Sequence, residues 1–360
     1  MTSRLYKHAL ESIFFHLNLA ELARISATCR DWYVAVTSMR PIRAHAGVLP
    51  CALQSICNSR LMRHVTHIRV PAGVLQFSDI TSLCDVIAQS KSLATVSLRC
   101  NRIGAVGVSA IAKAIKRSTS LTNVDFYNNN IGDEGAYAIA DAIKQSTSLS
   151  AVDLSLNSIG AVGAGALAEA ITQSTSLVAI NLGNNCIGGR GVSAIAKAIK
   201  QSKSLSMVDL SLNSIGTVGA VAIAEAIKQS KSLTTLDLSY NSIGDFGGSA
   251  LADAIKQSKS LAAVILSNNF IGDESAFGIA DIIKQSESMT TLDLSGNPIS
   301  DVGAAVIAEA IKQSKSLTTL TLSGDQIGDA GAAAIAEAIK VWVLAPIQSR
   351  RGTKKITSFF

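Results

Sequence analysis

The sequence predicts an α/β solenoid: parallel strands on the inside of a curved stack, helices on the outside, and a small all-α segment ahead of it. Three observations predict this. An apolar residue recurs every 28 positions at Leu93, Leu121, Leu149, Leu177, Leu205, Leu233, Leu261, Met289 and Leu317. Each is followed by a short alternating stretch, LxxLxL, and each then leads into a small-residue helical stretch, AIAxAIK. One unit reads SLTTLDLSYNSIGDFGGSALADAIKQSK, from Ser232 to Lys259. A weaker copy starts at Val65, making ten units.

Each element of the unit has a physical reason. LxxLxL places apolar side chains on one side of a strand, and successive strands pair in parallel. Asn recurs where the strand ends, at Asn101, Asn129, Asn157, Asn185, Asn213, Asn241, Asn269 and Asn297. There the backbone loses its ladder partners, and a carboxamide that both donates and accepts can replace them. The tenth unit has Asp325 at that position. Gly in IGxxG permits a tight turn and close packing against the next unit. AIAxAIK reads as a helix with a small-residue face inward and charges outward. No unit buries its apolar face alone, so stacking builds one continuous core and bends the whole into a horseshoe.

The pattern LxxLxLxxN with IGxxG and AIAxAIKQS resembles the leucine-rich repeat family, in its long helical subtype shared by ribonuclease inhibitor, NLR receptors and RanGAP proteins. That resemblance implies a protein-binding horseshoe. The domain organisation is then residues 1–45, a helical segment; 46–64, a linker or N-terminal cap; 65–340, ten repeats; and 341–360, a C-terminal cap and tail.

Composition bounds the function. Hydrophobic residues make up 48% of the chain and aromatics only 4%, which suits regular stacked elements rather than an aromatic-rich globule. No apolar run is long enough to cross a bilayer. The start is a poor secretory signal and Glu11 and Glu21 weaken a transit-peptide reading, so the expected location is cytoplasmic. The six scattered cysteines form no CxxC pair, in keeping with a reducing compartment. Cys51, Cys57, His64 and His67 match no common zinc spacing, and no cofactor is expected. Residues 1–64 carry eight Lys/Arg against three acids and residues 341–360 four against none, leaving −3 of the +6 total on 65–340. The basic balance belongs to the two ends, so direct nucleic-acid binding by the repeats is not expected. The repeats contain no histidine beyond His67, no phosphate-binding loop, and neither an HExxH nor a GxSxG motif, so no catalytic set emerges.

Two candidate surfaces remain on the repeats. The exposed strand position four after the leading Leu carries Asp125, Asp153, Asp209, Asp237 and Asp293, interrupted by Asn181 and Ile265. With strands about 4.8 Å apart this is a line of carboxylates. It reads either as a cradle for a basic protein, with Tyr127 and Tyr240 the larger groups beside it, or as ordinary strand filler. RanGAP-like repeats accelerate a GTPase through an arginine near the N-terminal repeats, and Arg99 and Arg102 lie in that region. On the helices, acids such as Asp281 and Glu309 precede Lys by three residues and read as a solvated face.

Residues 5–34 read LYKHALESIFFHLNLAELARISATCRDWYV. Leu10, Ile13, Phe14 and Leu17 give one amphipathic helix, and NLAELARI begins a second. The segment resembles an F-box, with Leu5, Leu10, Ile13, Phe14, Leu17, Leu22, Ile25, Cys29, Arg30 and Trp32 on its positions. Tyr6 stands where the pattern has Pro. The bare alternative is a helical cap over the solenoid end. The F-box resemblance implies a Skp-type linker of a cullin–RING ubiquitin ligase as partner, contacted through Leu5, Leu10, Ile13, Phe14, Leu17, Leu22 and Trp32. The combination resembles substrate adaptors, with an unknown protein held by the horseshoe; plant-pathogen effectors of the GALA type share the layout. A plain repeat scaffold is the alternative.

After Lys340 the period breaks. VWVLAPI reads as an apolar seal over the last repeat, QSRRG as a basic linker, and TKKITSFF as a detached peptide. One helical turn would put Ile356, Phe359 and Phe360 on one side. This resembles the PIP-box that docks into DNA sliding clamps, with Thr353 where that motif has Gln.

Overall fold

The computed structural model describes residues 42–44, 65–73, 75–344 and 355–357. The chain divides into two compact units, Met1–Asn157 and Ser158–Phe360. In the first, strands β1 (Ile42–Ala44), β2 (Val65–Arg69), β3 (Thr95–Ser97), β4 (Asn123–Asp125) and β5 (Ala151–Asp153) pair in parallel in chain order. Helices α1 (Phe77–Gln89), α2 (Gly104–Arg117) and α3 (Gly132–Gln145) follow β2, β3 and β4. β1 is a strand the repeat pattern did not predict, and its register to β2 shifts between Ile42 and Arg43.

The second unit repeats the scheme. Strands β6 (Ala179–Asn181), β7 (Met207–Asp209), β8 (Thr235–Asp237), β9 (Ala263–Ile265), β10 (Thr291–Asp293), β11 (Thr319–Thr321) and β12 (Lys355–Thr357) are parallel and sequentially paired. Its helices are α4 (Ala161–Gln173), α5 (Gly188–Gln201), α6 (Gly216–Gln229), α7 (Gly244–Gln257), α8 (Asp273–Gln285), α9 (Asp301–Gln313) and α10 (Asp329–Leu344). α10 runs past Lys340 because VWVL continues its apolar pattern, and Trp342 is buried.

The core sits between strand and helix in every repeat. Leu233, Leu236 and Leu238 are buried on the strand side, and Ala220, Ile223, Ala224 and Ile227 on the helix side. The helices begin earlier than the AIA stretch: IGxxG is the first turn, not a turn before the helix. Its second glycine is a close-packing position. A Cβ on Gly219 would come 2.3 Å from Ile215 Cγ2 and 2.6 Å from Val192 Cγ1.

The recurring Asn forms a hydrogen-bonded ladder from repeat to repeat. In Asn213, Nδ2 donates to the carbonyls of Leu182, Leu210 and Ser211, while Oδ1 accepts the Ile187 amide. Its own N–H donates to Oδ1 of Asn241, and the same step recurs from Asn241 to Asn269 and from Asn269 to Asn297. In the first unit Asn101 donates to Asn129 and Asn129 to Asn157. The ladder in the second unit ends on Asp325, whose Oδ1 accepts the Asn297 amide at 2.6 Å. Asp325 has no Nδ2 to donate, and its Oδ2 is buried without a partner. Burial pushes its carboxyl up to about 7, opposed by the Asn297 amide and reinforced by the Asp293 charge.

A second ladder comes from QSxSL. The first Ser, at the helix C-terminus, accepts the amide of the next leading apolar residue, as Ser146 does from Leu149 and Ser286 from Met289. The second Ser donates to a carbonyl of the preceding repeat, as Ser232 does to Ser202.

Candidate protein-binding surface

The strand Asp residues occupy equivalent register positions: Asp125 pairs with Asp153 in the first unit, and Asp209 with Asp237 in the second. Each does a local job. Oδ1 accepts the backbone amide two residues on, from Tyr127 to Asp125 at 3.0 Å, Ser155 to Asp153 at 2.9 Å, Ser211 to Asp209 at 2.9 Å, Ser239 to Asp237 at 2.8 Å and Ser295 to Asp293 at 2.9 Å. Asn181 does the same for Gly183 at 2.8 Å, so a carbonyl-type oxygen suffices. This Asx turn closes the strand and explains the recurrence without a ligand.

The local job leaves electrostatic consequences. Burial raises the Asp125 carboxyl, opposed by the Tyr127 amide and reinforced by the Asp153 charge. Asp237 is raised by burial, against its bonds from Ser239, and by the charges of Asp209 and Asp293. Asp125 and Asp237 are therefore partly desolvated carboxylates repelled by their neighbours in the row, a state that a cation would relieve.

The larger groups divide between the units. Tyr127 lies under the Arg99 guanidinium, 4.3 Å from carbon to ring centroid, and Arg99 Nε is 3.6 Å from Asp125 Oδ2. Tyr240, by contrast, is exposed on the loop after β8. Met207, Leu212, Phe246, Phe270 and Phe277 of the same unit are also exposed. For three of them the signal was positional: Leu212 stands where three repeats carry Asn, Phe246 where four carry Val, and Phe270 where three carry Ser.

The other expected site residues are placed as follows. Leu5, Leu10, Ile13, Phe14, Leu17, Leu22 and Trp32 lie outside the described residues, as do Phe359 and Phe360. Ile356 does not sit in a helical turn: residues 355–357 form β12, with Ile356 in register with Leu320, so this stretch is paired to the sheet rather than detached. Asp281 pairs with Lys256 of the preceding helix at 3.0 Å rather than with the lysine three residues on, whereas Glu309 pairs with Lys312 at 2.8 Å. Among the described residues no group of three or more His, Cys, Asp or Glu is placed to hold a metal ion, and no helix is long and apolar enough to cross a membrane.

Comparison with known proteins identifies the two modules. A family model described as Leucine Rich repeat matches residues 89–112, 117–140, 145–168, 173–196, 201–224, 229–252, 285–308 and 313–336. The gap in that series falls on the unit led by Leu261, which carries Ile265 on its strand and Ser275 where other repeats have Gly. An F-box domain model matches residues 3–43. A comparison with curated proteins returned no match. Among solved structures, leiomodin-1 actin-binding site 2 is similar at 20% identity over 41% of this chain and 86% of its own, with a TM-score of 0.37. TLR13 in its complex with ssRNA13 is similar at 20% identity over 77% of this chain and 36% of its own, TM-score 0.47. An internalin (inlF) from Listeria monocytogenes is similar at 17% identity over 79% of this chain and 74% of its own, TM-score 0.47. Leucine-rich repeats and F-box domains are both protein-interaction modules rather than catalysts. The chain belongs to the leucine-rich repeat family and carries an F-box domain ahead of its repeats.

Proposed function

We propose that this protein is a substrate adaptor of a cullin–RING ubiquitin ligase, working in the cytoplasm or nucleus of a cell that supplies the ligase. The carrying observation is the joining, in one chain, of an F-box match at residues 3–43 to a series of repeat matches from residue 89 onward. In this reading Leu5, Leu10, Ile13, Phe14, Leu17, Leu22 and Trp32 contact a Skp-type linker, and the repeats hold a protein substrate. The ligase supplies the chemistry; the adaptor supplies two binding surfaces and the distance between them.

Titrating a purified Skp-type linker into the full chain tests this by calorimetry. Saturable binding is expected, with loss of heat in a Leu10→Ala plus Leu17→Ala variant whose repeats still melt normally. Absence of binding by the wild type would contradict the adaptor reading and favour a repeat scaffold without ligase contact, for which Tyr6 in place of Pro is the supporting observation. GTPase activation through Arg99 has less support, because that guanidinium is engaged by Asp125 and Tyr127. Such activity would appear as faster GTP hydrolysis by a Ran-like protein, dependent on Arg99 or Arg102. Clamp docking is not part of this proposal: a helical turn through Ile356 and the strand at 355–357 are alternative conformations of the same backbone.

A further inference from the structure

Directly before the ladder Asn, the chain of most repeats passes through a left-handed residue. Asn128, Asn184, Asn268, Gly296 and Gly324 take that conformation, with φ between 53° and 72°, and these residue types tolerate it well. Cys100, Leu156, Leu212 and Tyr240 take it too, at φ between 54° and 57°, although none has a carboxamide to ease it, and of these Leu212 and Tyr240 are the exposed large apolar groups. One repeat further on, Phe270 is left-handed at φ 58°, in the position where Ser214 and Ser242 stand. The three side chains are 45%, 53% and 66% exposed. Backbone strain is thus accepted for bulky apolar groups that gain little packing, and the fold alone gives no reason for them.

These residues adjoin one another. The Leu212 amide donates to the Ser239 carbonyl and the Tyr240 amide to the Ser267 carbonyl, so the three loops lie side by side. Three residues before Leu212 and Tyr240 stand Asp209 and Asp237, paired in register, with Ile265 next to Asp237 on β9. Each Asp uses Oδ1 on its own turn. An apolar ridge therefore borders an acidic pair. Phosphate-bearing polymers and anionic membrane surfaces are repelled by that pair, whereas a cationic side chain is attracted.

We propose that Leu212, Tyr240, Phe270 and Ile265, together with Asp209 and Asp237, form a bipartite docking site for an extended segment of a partner protein. That segment carries a Lys or Arg about three residues from an aromatic or aliphatic side chain, matching the spacing of acid and apolar groups along each repeat. The basic residue neutralises the Asp pair while its apolar neighbour covers the ridge. The inference rests on the reading of the repeats as the substrate-holding part of the adaptor, and names the chemistry that part recognises.

A random-peptide phage library panned on the purified full chain tests it, followed by affinity measurements with a synthetic copy of the most enriched peptide. Enriched sequences are expected to pair a basic residue with an apolar one at about the stated spacing. The peptide should bind at least ~10-fold more weakly to a Leu212→Asn, Tyr240→Asn, Phe270→Asn variant and to an Asp209→Asn, Asp237→Asn variant. The triple variant should melt no lower than wild type, because Asn tolerates the left-handed conformation. No enrichment, enrichment without the pattern, or equal binding by wild type and variants would overturn the proposal. A clearly lower melting point for the triple variant would assign these side chains to the fold and do the same. Linker binding is scored separately: its failure beside successful peptide selection sinks the adaptor reading and leaves the docking site standing.

Discussion

Within the second unit, helices α5 to α7 and helices α8 to α10 begin in opposite ways. The first three start on Gly188, Gly216 and Gly244, all with φ between 60° and 68°. Their amides donate forward, to the carbonyls of Asn213, Asn241 and Asn269 in the next repeat. At the starts of α8, α9 and α10 the amides of Gly272, Ser300 and Gly328 donate backward, to Asp245, Asp273 and Asp301 in the preceding helix. The same carboxylates also take the amides of Ser275, Gly303 and Gly331. A forward bond needs a successor repeat, and the Asn ladder also leans forward until it stops at Asp325. Anchoring the last helices on their predecessors lessens that dependence, although the Ile271 amide still donates forward to Asn297, and puts a negative charge at each helix N-terminus. Near-identical repeats are thus held from either neighbour, and the choice changes along the chain.

The contrast can be broken at its strongest point first. Asn213→Ala removes the acceptor of the Ile187 amide and three side-chain donations, and should cost about 3 kcal/mol, read as a lower urea midpoint. Asp273→Ala removes a backward anchor that accepts from the Ser300 amide and hydroxyl and the Gly303 amide. It should cost about 2 kcal/mol, localised by hydrogen exchange to α9 and α10.

Asp325 sharpens the comparison through pH. Its folded carboxyl titrates at about 7 against an ordinary 3.8, so between those values the folded chain keeps a proton that the unfolded chain releases. The stability contributed by Asp325 should therefore be largest below pH 4, fall as pH rises towards 7, and level off above. Asp325→Asn restores the missing donor; it should flatten this dependence and stabilise the chain by about 1–2 kcal/mol at pH 8, allowing for partial solvent screening. The smallest effect belongs to Gly216→Ala. A Cβ there meets nothing within 4 Å, so its cost of about 1 kcal/mol is conformational alone.

The 28-residue period made the solenoid legible, because leading Leu, ladder Asn and small-residue helix each follow from one repeat considered by itself. Bonds running between repeats were not legible in that way. Asp273 looks like a first-turn acid of its own helix, and only the stacked fold reveals that it caps the next one. Asp209 and Asp237 invited a ligand reading, yet their first role is to close their own strands. The strand at 355–357 was missed because its register partner Leu320 lies 36 residues earlier, outside the period. Of the exposed ridge only Tyr240 stood out in the sequence, by its size. Leu212 and Phe270 sit in loops where any residue reads as filler until the left-handed φ shows the conformation to be unfavourable for them.

The central claim is that one chain joins two separable binding functions, a ligase hook in the F-box and a substrate surface in the repeats. Quantitative affinity purification of three proteins tests it most directly: wild type, Leu10→Ala plus Leu17→Ala, and Tyr240→Asn plus Phe270→Asn. Wild type should recover a Skp-type linker with cullin together with further proteins, the first variant should lose only the ligase components, and the second should lose only the others. Failure of the wild type to recover any ligase component, or loss of the same proteins by both variants, would contradict it.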